Sequence, residues 1–425
     1  MNIFQSSFLI LGKGTTFRHC SEFFKKNDVT YSSLVTEDIL EIKENIIILK
    51  HGEINLKNID YIVISPGISS SNPIVRRLFT IKSKIITDIE ILQKLSSSKF
   101  ICVTGTNGKT STVNLLADIL NDNDISAIAC GNNGVSVFDS LEKSYEYVIL
   151  EISSYQLEYI NKLKSFISIV LNISMDHIDR HKSLTNYINL KLRIFNNSKF
   201  QIINSKLKKY YHCQTFEIKK NKFLIDNTAL DNLFINEDNM IVFEDEKYAI
   251  TGRHEALNLC ACIPILKKLN FSITKIIESF SRRNFLQHRV EEICTYKGVK
   301  FINDSKSTNA DSTLNALNSV KENIILIMGG DDKKISYESL IDIINEKVKS
   351  LVIIGENKTL INDLDVKVKK SYIENLEDAI YYILSDVVSG DTVLMSPGTS
   401  SFYHYSDYME RGEHFKSLVK KHANQ

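Results

Sequence analysis

The chain has 425 residues, a length that suits roughly two to four domains, and its formal net charge at pH 7 is +1. Hydrophobic residues at 43% and charged residues at 24% are typical of a folded globular protein. A charge this close to zero gives no overall field that favours nucleic acid. No apolar run approaches the roughly 20 residues that cross a bilayer. We therefore expect neither nucleic acid nor a membrane as a partner.

The seven cysteines are scattered along the chain and include no Cys-x-x-Cys pair. The odd count and the irregular spacing argue against a disulfide framework or a zinc site and fit a reducing compartment. The apolar run Phe8–Leu11 is too short for the core of a signal peptide. These features together predict a cytoplasmic protein.

The first section, residues 1–95, has the pattern of a small α/β unit. The apolar strand Phe8–Leu11 is followed by the glycine-rich turn 12–16, and the later strand Tyr61–Ile64 is followed by Ser65, a proline and a glycine. Turns of this kind hold a nucleotide or a nucleotide sugar in some proteins and serve only packing in others. Both interpretations stay open for this section.

The second section, residues 96–285, opens on a strand, a loop and a helix. The run 100–103 is apolar, and Val113, Leu116, Ala117 and Leu120 share one face of the helix that follows. The loop between them and the start of the helix consist of Gly105, Thr106, Asn107, Gly108, Lys109, Thr110 and Ser111.

This loop has the chemistry of a phosphate site. Glycines let backbone N–H groups converge on an anion, and the N-terminus of a helix adds partial positive charge. Lys109 supplies a mobile charge for a terminal phosphate, and Thr110 supplies a hydroxyl for magnesium. Two residues rather than the usual four separate the glycines. An ordinary glycine-rich turn is therefore the competing interpretation.

Two further strands of this section end in polar residues. The strand 147–150 leads to Glu151, and the strand 167–172 leads to Asp176 and His177. A carboxylate at a strand tip beside a phosphate loop is where a magnesium ligand belongs, and a solvated strand end is the alternative. For Asp176 and His177 the alternatives are metal binding and a capping or surface role.

A lysine interrupts the apolar face of the helix that comes next. Leu184, Tyr187, Ile188 and Phe195 fall in one arc at about 100° per residue, with Lys191 in its middle. Such a lysine either extends its amine to solvent or is buried. Burial lowers the pKa and favours the neutral, nucleophilic amine, which can capture carbon dioxide as a metal-ligating carbamate.

The third section, residues 286–425, again alternates strands and helices. Its strands Val299–Asn303, 324–328, 351–354 and Thr392–Met395 each end in a polar or glycine-rich loop. Because the carboxyl ends of parallel strands share an edge, these loops are expected to form one site. His288 and Arg289 precede them near a predicted hinge, where Arg289 could bridge ATP phosphates.

The motifs as a set resemble the Mur ligase family of ATP-dependent amide-forming enzymes. They occur in family order and cover nearly the whole chain, at residues 105–110, 151–156, 176–177, 191–193, 252–254, 288–289, 303–306 and 329–330. The predicted fold class is accordingly α/β with three domains. These are an N-terminal Rossmann-like unit (1–95), a central parallel sheet like that of P-loop ATPases (96–285) and a C-terminal Rossmann-like domain (286–425).

Within the family, the segments 304–309, 396–402 and 410–415 resemble the branch that joins D-glutamate to UDP-N-acetylmuramoyl-L-alanine in peptidoglycan precursor synthesis. The resemblance implies that ATP phosphorylates the alanine carboxylate and that the amine of D-glutamate attacks the acyl phosphate. The alternatives are another Mur-type or folylpolyglutamate-type amide ligase, a GTPase-like nucleotide-binding module without ligase chemistry, and an inactive relative.

The resemblance also implies roles for particular residues. Those expected to act in catalysis are Lys109, Glu151, His177 and Lys191. Those expected to bind ATP are Gly105, Thr106, Asn107, Gly108, Lys109, Thr110, Ser111, Asn258, Arg289 and Asp304. Those expected to hold two magnesium ions are Thr110, Glu151, His177 and a carbamylated Lys191. Those expected to bind the uridine nucleotide substrate are Thr15, Thr16, Ser65 and Asn132. Those expected to bind D-glutamate are Thr308, Lys333, Ser401 and Phe402. Relatives are usually monomers, and we expect a monomer here.

The chain departs from the family pattern at three positions. Glu255 stands where most members have asparagine, and Tyr403 replaces the usual aspartate after Phe402. Asp332 precedes Lys333, and its negative charge leaves the amino-acid specificity open. For Asn258, at the start of its helix, contact with the base or ribose and simple capping remain alternatives.

Overall fold

The computed structural model describes residues 2–80, 85–237, 240–250, 253–282, 287–321, 323–331, 336–355, 361, 363–401 and 404–423. They fall into two compact units. The first unit comprises Met1–Lys219, Phe223–Ala229 and Asn258–Phe280, and the second comprises Lys220–Lys222, Leu230–Leu257 and Ser281–Gln425. Among the described residues, no helix combines the length and the apolar character that a membrane span requires.

The strands and helices alternate along most of the chain. The strands are β1 (Phe8–Leu11), β2 (Tyr31–Leu34), β3 (Ile39–Lys43), β4 (Ile46–Leu49), β5 (Gly52–Asn55), β6 (Tyr61–Ile64), β7 (Lys99–Thr104), β8 (Ala127–Gly131), β9 (Tyr147–Glu151), β10 (Ser165–Val170), β11 (Ser198–Asn204), β12 (Gln214–Lys219), β13 (Lys222–Ile225), β14 (Thr228–Ile235), β15 (Ile241–Phe243), β16 (Glu246–Tyr248), β17 (Glu291–Tyr296), β18 (Val299–Asn303), β19 (Ile324–Gly330), β20 (Val348–Gly355), β21 (Lys369–Tyr372) and β22 (Thr392–Met395). The helices are α1 (Thr15–Lys26), α2 (Pro73–Thr80), α3 (Asp88–Leu95), α4 (Lys109–Asn121), α5 (Ser154–Tyr159), α6 (Ile178–His181), α7 (Leu184–Leu192), α8 (Arg253–Lys268), α9 (Ile273–Ser281), α10 (Ala310–Ser319), α11 (Ile341–Lys347), α12 (Leu376–Leu384) and α13 (Tyr408–Ala423).

The first unit contains two parallel sheets and a small antiparallel one. Strands β2, β1 and β6 form the first parallel sheet, and β12, β11, β10, β7, β9 and β8 lie side by side in the second. β7 pairs with both β9 and β10, with Val103 opposite Glu151 and Thr104 opposite Val170. The segments that follow these three strands therefore share one edge of the sheet.

The antiparallel sheet β3–β4–β5 is a feature that the sequence analysis did not predict. Its buried face depends on few side chains, among them Ile39, Ile42 and Ile47. The strands are short and partly exposed, so the alternation of apolar and polar residues is weak. This sheet packs its apolar face into a cluster with residues of β1, β6 and α2.

The second unit is built on a mostly parallel sheet with the order β17–β18–β22–β19–β20–β21, in which only β17 runs antiparallel to its neighbour. One face packs against α10 and α11 through an apolar cluster that includes Leu317 and Ile344. The other face packs against α12 and α13 through Ile380 and Phe415. Helices on both faces explain why its central strands are apolar without alternation.

The α/β class with predominantly parallel sheets is confirmed. The predicted bounds of β1, β6, β18 and β22 agree with the structure, whereas β19 extends to Gly330. The strand predicted over 167–172 is wrong at its end, because β10 stops at Val170. Beyond it, the carbonyl of Asn172 accepts a hydrogen bond from the Thr106 N–H at 3.0 Å, so the chain turns toward the phosphate loop.

Candidate functional site

The phosphate loop lies between the end of β7 and the start of α4. Gly108 has φ +83°, in the left-handed region, and a Cβ on it would lie 2.6 Å from Asn258 Oδ1. A Cβ on Gly105 would lie 3.0 Å from Leu171 Cβ. Both glycines therefore permit close approach of neighbouring segments. The same contact brings Asn258, an ATP-binding candidate, against the loop.

The loop is held to the segment after β10 by side chains. Asn172 accepts from the Asn107 N–H at 2.8 Å and donates to the Asn107 carbonyl at 2.9 Å. The hydroxyl of Thr106 lies 3.1 Å from that of Tyr187 and accepts from the Ser174 N–H at 3.1 Å. These bonds fix the backbone of the loop before any ligand arrives.

Two lysine amines meet at one carbonyl of this loop. Lys109 Nζ and Lys191 Nζ each donate to the Gly105 carbonyl oxygen at 2.9 Å, and Lys109 also donates to the Thr106 carbonyl at 2.9 Å. The Lys191 side chain is 1% exposed. Burial, and secondarily the positive charge of Lys109, lower the pKa of Lys191 well below its ordinary value. Lys191 is therefore buried and does not extend its amine to solvent.

The apolar arc around Lys191 is smaller than predicted. Tyr187, Ile188 and Phe195 are buried, but Leu184 is 38% exposed, so the buried part of the arc does not include Leu184. Leu184 is the first residue of α7, directly after the cap Ser183, and lies outside the packed part of the helix.

Glu151 occupies the end of β9 beside the phosphate loop, and its side chain is only 2% exposed. Asn132 donates from Nδ2 to Glu151 Oε1 at 3.0 Å. Within the described part of the chain, Glu151 Oε2 is buried and has no hydrogen-bond partner. A buried carboxylate oxygen without a donor is costly, and a bound cation would offset that cost. The alternative of a solvated strand end is wrong.

His177 lies in the turn before α6 with φ 54°. The hydroxyl of Tyr155 is 3.0 Å from His177 Nδ1, and Asp176 Oδ2 is 3.4 Å from Nε2. The phenol therefore fixes the orientation of the ring, as the partners of metal-binding histidines commonly do. Sequence reasoning missed Tyr155 as a partner of His177.

The residues at this edge fit magnesium by their chemistry. Glu151 Oε2 and the hydroxyl of Thr110 are hard oxygen donors of the kind that magnesium prefers. Among the described residues, no group of three or more histidine, cysteine, aspartate or glutamate side chains is placed to hold a metal ion. A magnesium site here would therefore depend on hydroxyl, carbamate, phosphate or water oxygens as well.

Ser65 and the first turn of α1 lie at the edge of the sheet β2–β1–β6. β1 and β6 are parallel neighbours, so the segments after Leu11 and Ile64 start side by side. Ser65 is buried, and its Oγ has no hydrogen-bond partner among the described residues. Thr15, the first residue of α1, is exposed, and Thr16 is partly buried.

Arg180 is a residue whose role sequence reasoning missed. It donates to both carboxylate oxygens of Glu158, at 2.9 and 2.8 Å. It also donates to the carbonyls of Pro66, Gly67 and Ile68 at 2.9, 2.8 and 2.7 Å. This side chain therefore joins the segment after Ser65 to the helix that starts after His177. In the sequence, the only indication of this role was that a basic residue, Arg180, follows Asp176 and His177 in the same short segment.

The loops after β18, β22 and β19 in the second unit share one edge, because these strands are parallel neighbours. Asp304 is 2% exposed and accepts from Ser396 Oγ at 2.7 Å and from the Val290 N–H at 3.2 Å. Burial raises the pKa of Asp304 to about 6, although Arg289 nearby opposes that shift. Ser401 is buried, and Thr308 is partly buried.

Several predicted residues lie outside the described residues. They include two candidates for D-glutamate binding, Lys333 and Phe402, and their neighbours Asp332 and Tyr403. The structure describes Thr308 and Ser401 from the same group.

Models of two protein-family domains match the chain. The Mur ligase middle domain matches residues 103–266, and the Mur ligase glutamate ligase domain matches residues 288–398. Curated relatives named UDP-N-acetylmuramoylalanine–D-glutamate ligase are similar over most of their length. One from Buchnera aphidicola subsp. Acyrthosiphon pisum (strain Tuc7) is 34% identical and covers 99% of both chains. One from Protochlamydia amoebophila (strain UWE25) is 32% identical, again over 99% of both.

Solved structures share the fold at low sequence identity. UDP-N-acetylmuramate–alanine ligase from Thermotoga maritima has a TM-score of 0.60 at 16% identity, covering 98% of this chain and 100% of that one. MurF ligase from Thermotoga maritima, in complex with ADP, has a TM-score of 0.57 at 15% identity, covering 87% and 91%. At these identities the likeness shows the fold alone.

Proposed function

The chain belongs to the Mur ligase family, and we propose that it is an ATP-dependent ligase that joins D-glutamate to UDP-N-acetylmuramoyl-L-alanine in peptidoglycan precursor synthesis. The observation that carries the ATP chemistry is the convergence of Lys109 and Lys191 on the Gly105 carbonyl, beside the carboxylate of Glu151. The choice of substrates is supported by near full-length similarity to relatives that carry this name.

In the proposed reaction, the alanine carboxylate attacks the γ-phosphate of ATP and releases ADP. The amine of D-glutamate then attacks the acyl phosphate, and the tetrahedral intermediate loses phosphate and a proton to give the amide. The protein forms no covalent bond to substrate in this sequence, so its contribution is positioning and charge neutralisation. Lys109, at the start of α4, is proposed to neutralise the transferred phosphoryl group.

ATP is proposed to bind along the phosphate loop. The loop glycines and the N-terminus of α4 offer backbone N–H groups to phosphate oxygens. Asn258 lies against the loop and is proposed to contact the nucleotide. Arg289 and Asp304 are proposed as further ATP-binding residues. Two magnesium ions, when bound, would neutralise phosphate charge. Thr110 and Glu151 would hold one ion, and His177 and a modified Lys191 would hold the other.

The modification proposed for Lys191 is a carbamate. A neutral amine attacks carbon dioxide, a nitrogen–carbon bond forms as one carbon–oxygen π bond breaks, and one proton leaves, so that an anionic carbamate replaces the neutral amine. The lowered pKa of Lys191 favours the reactive neutral amine. The anion would lie beside Lys109, where two ammonium groups would repel each other.

The remaining substrate contacts are proposals of the same kind. Thr15, Thr16, Ser65 and Asn132 are proposed to bind the uridine nucleotide substrate, and Thr308, Lys333, Ser401 and Phe402 to bind D-glutamate. We also propose the division into domains 1–95, 96–285 and 286–425, a monomeric state and a cytoplasmic location.

The test is phosphate release by the purified protein with ATP, magnesium and UDP-N-acetylmuramoyl-L-alanine, with single amino acids added in turn. We expect release that depends on D-glutamate. Release with a different amino acid would retain the ligase chemistry and reject the D-glutamate assignment. Release without any amino acid would favour a nucleotide-hydrolysing module.

A further inference from the structure

Arg411 lies in the first turns of α13 and is 1% exposed. Its guanidinium donates to Ser305 Oγ at 3.0 Å and to the Ser305 carbonyl at 2.8 Å. It also donates to the carbonyl of Thr399 from both terminal nitrogens at 3.3 Å, and to that of Ser400 at 3.2 Å. One side chain therefore joins the loop after β18 to the loop after β22.

These bonds determine which way the loop 399–401 presents its amides. In a trans peptide, the N–H of a residue points away from the carbonyl that precedes it. Because the carbonyls of Thr399 and Ser400 face Arg411, the N–H groups of Ser400 and Ser401 face the opposite side. Among the described residues, neither N–H has a hydrogen-bond acceptor, although both residues are buried. Two adjacent amides of this kind are a pair of hydrogen-bond donors that suits an anion.

The loop after β19 is hydrogen-bonded to the loop 399–401. Thr399 Oγ1 donates to the Asp331 carbonyl at 2.7 Å, and Ser400 Oγ donates to Asp331 Oδ2 at 2.5 Å. Gly330 has φ +147°, and a Cβ there would lie 2.6 Å from the Ser400 carbonyl oxygen. The position of loop 399–401 therefore also sets the position of Gly330 and Asp331.

The acceptors of Arg411 are neutral oxygens of carbonyl and hydroxyl groups. Burial lowers its pKa to about 10, so the guanidinium remains charged at neutral pH. A planar fork suits this task because it binds several fixed acceptors in one plane. A lysine has a single nitrogen and cannot bind both loops in the same geometry.

We propose that Arg411 is a positioning residue for the acceptor amino acid. By binding the carbonyls of Thr399 and Ser400, it turns the amides of Ser400 and Ser401 toward a carboxylate of that substrate. This inference rests on the proposed function and adds to it a residue to which the sequence analysis gave no role.

The test compares Arg411→Lys with the wild type and with a control, Arg76→Lys, which changes an exposed arginine of α2. Phosphate release is measured while D-glutamate, ATP and the uridine nucleotide substrate are varied in turn. We expect the KM for D-glutamate to rise by about tenfold or more in Arg411→Lys, because charge-assisted loop contacts are lost. The other two KM values should stay within about twofold.

A purely structural role gives a different result. It would lower kcat through a smaller folded fraction and leave all three KM values unchanged, and this outcome would overturn the proposal. For Arg411→Ala, we expect added methylguanidinium to lower the KM for D-glutamate, with thermal melting used to confirm a folded protein. Absence of rescue in a folded variant would also count against the proposal.

The wild-type control separates this inference from the proposed function. A wild type that releases phosphate with D-glutamate, together with an unchanged KM in Arg411→Lys, rejects only the role of Arg411. A wild type that releases no phosphate with any amino acid rejects both.

Discussion

Lys191 in the first unit and Arg411 in the second are both buried basic side chains that donate to backbone carbonyls near the carboxyl edge of a parallel sheet. Their pKa values respond differently to burial. The pKa of Lys191 falls well below its ordinary value, whereas that of Arg411 falls only to about 10. Burial therefore favours the neutral, reactive amine of the lysine, whereas the arginine keeps its charge at neutral pH and holds loops in place. Burial thus favours a reactive amine at Lys191 in the first unit and leaves Arg411 in the second unit as a charged group that positions loops.

The largest expected effect is at Lys109, whose amine donates to the same Gly105 carbonyl as Lys191. We expect Lys109→Ala to lose about a thousandfold or more in turnover, because a preorganised charge at the transferred phosphoryl group is removed. Phosphate release measures the effect. Lys25→Ala, which removes an exposed lysine of α1, is the control and should keep wild-type activity. Activity of Lys109→Ala within tenfold of the wild type would remove Lys109 from the mechanism.

The second prediction distinguishes the two buried basic side chains directly. Lys191→Ala should lose about a hundredfold in activity, and added formate should restore part of it by supplying a carboxylate in place of the carbamate. Formate should not restore the activity of Arg411→Ala, because the carbonyl and hydroxyl oxygens that surround Arg411 accept hydrogen bonds from a cation and would not bind an anion. Full activity of Lys191→Ala without formate would reject the carbamate, and rescue of both variants would remove the distinction between them.

The smallest predicted effect concerns the buried acid Asp304. Because its pKa is raised to about 6 in the folded chain, the folded state keeps a proton that the unfolded state loses above about pH 4. The stability that depends on this proton is present in acid and is lost as the pH rises through 6. Between about pH 4.5 and about pH 7, Asp304→Asn should therefore lose about 2 kcal/mol less free energy of unfolding than the wild type.

Urea unfolding at the two pH values measures this difference. The control is Asp386→Asn, which changes an exposed aspartate of the same unit. An equal pH dependence in Asp304→Asn and the wild type would show that Asp304 is not the group that titrates.

The sequence predicted the parts of the site that have local signals. The loop around Gly105 and Gly108, the carboxylate of Glu151 at a strand end and the burial of Lys191 as one of two alternatives could all be inferred from neighbours in the chain. Ser65, Thr15 and Asn132 were proposed through family resemblance, and their roles stay predictions.

The residues that sequence reasoning missed act over long separations. Arg411 binds Ser305, which is 106 residues away, and Arg180 binds the carbonyl of Ile68, which is 112 residues away. Backbone carbonyls carry no sequence signal, because every residue has one. Only the fold shows which carbonyls face a given guanidinium. The exposure of Leu184 could not be predicted for a similar reason, since helical periodicity does not show where the surrounding core ends.

The bonds of Arg180 have a thermodynamic consequence for the order of events. Arg180 fastens the segment after Ser65 to the helix that follows His177, so neither segment can become rigid without restricting the other. A ligand that binds at one end of this connection removes conformational freedom that a ligand at the other end would otherwise have to remove. The first ligand bound is thus expected to raise the affinity for the second, with no change of shape required.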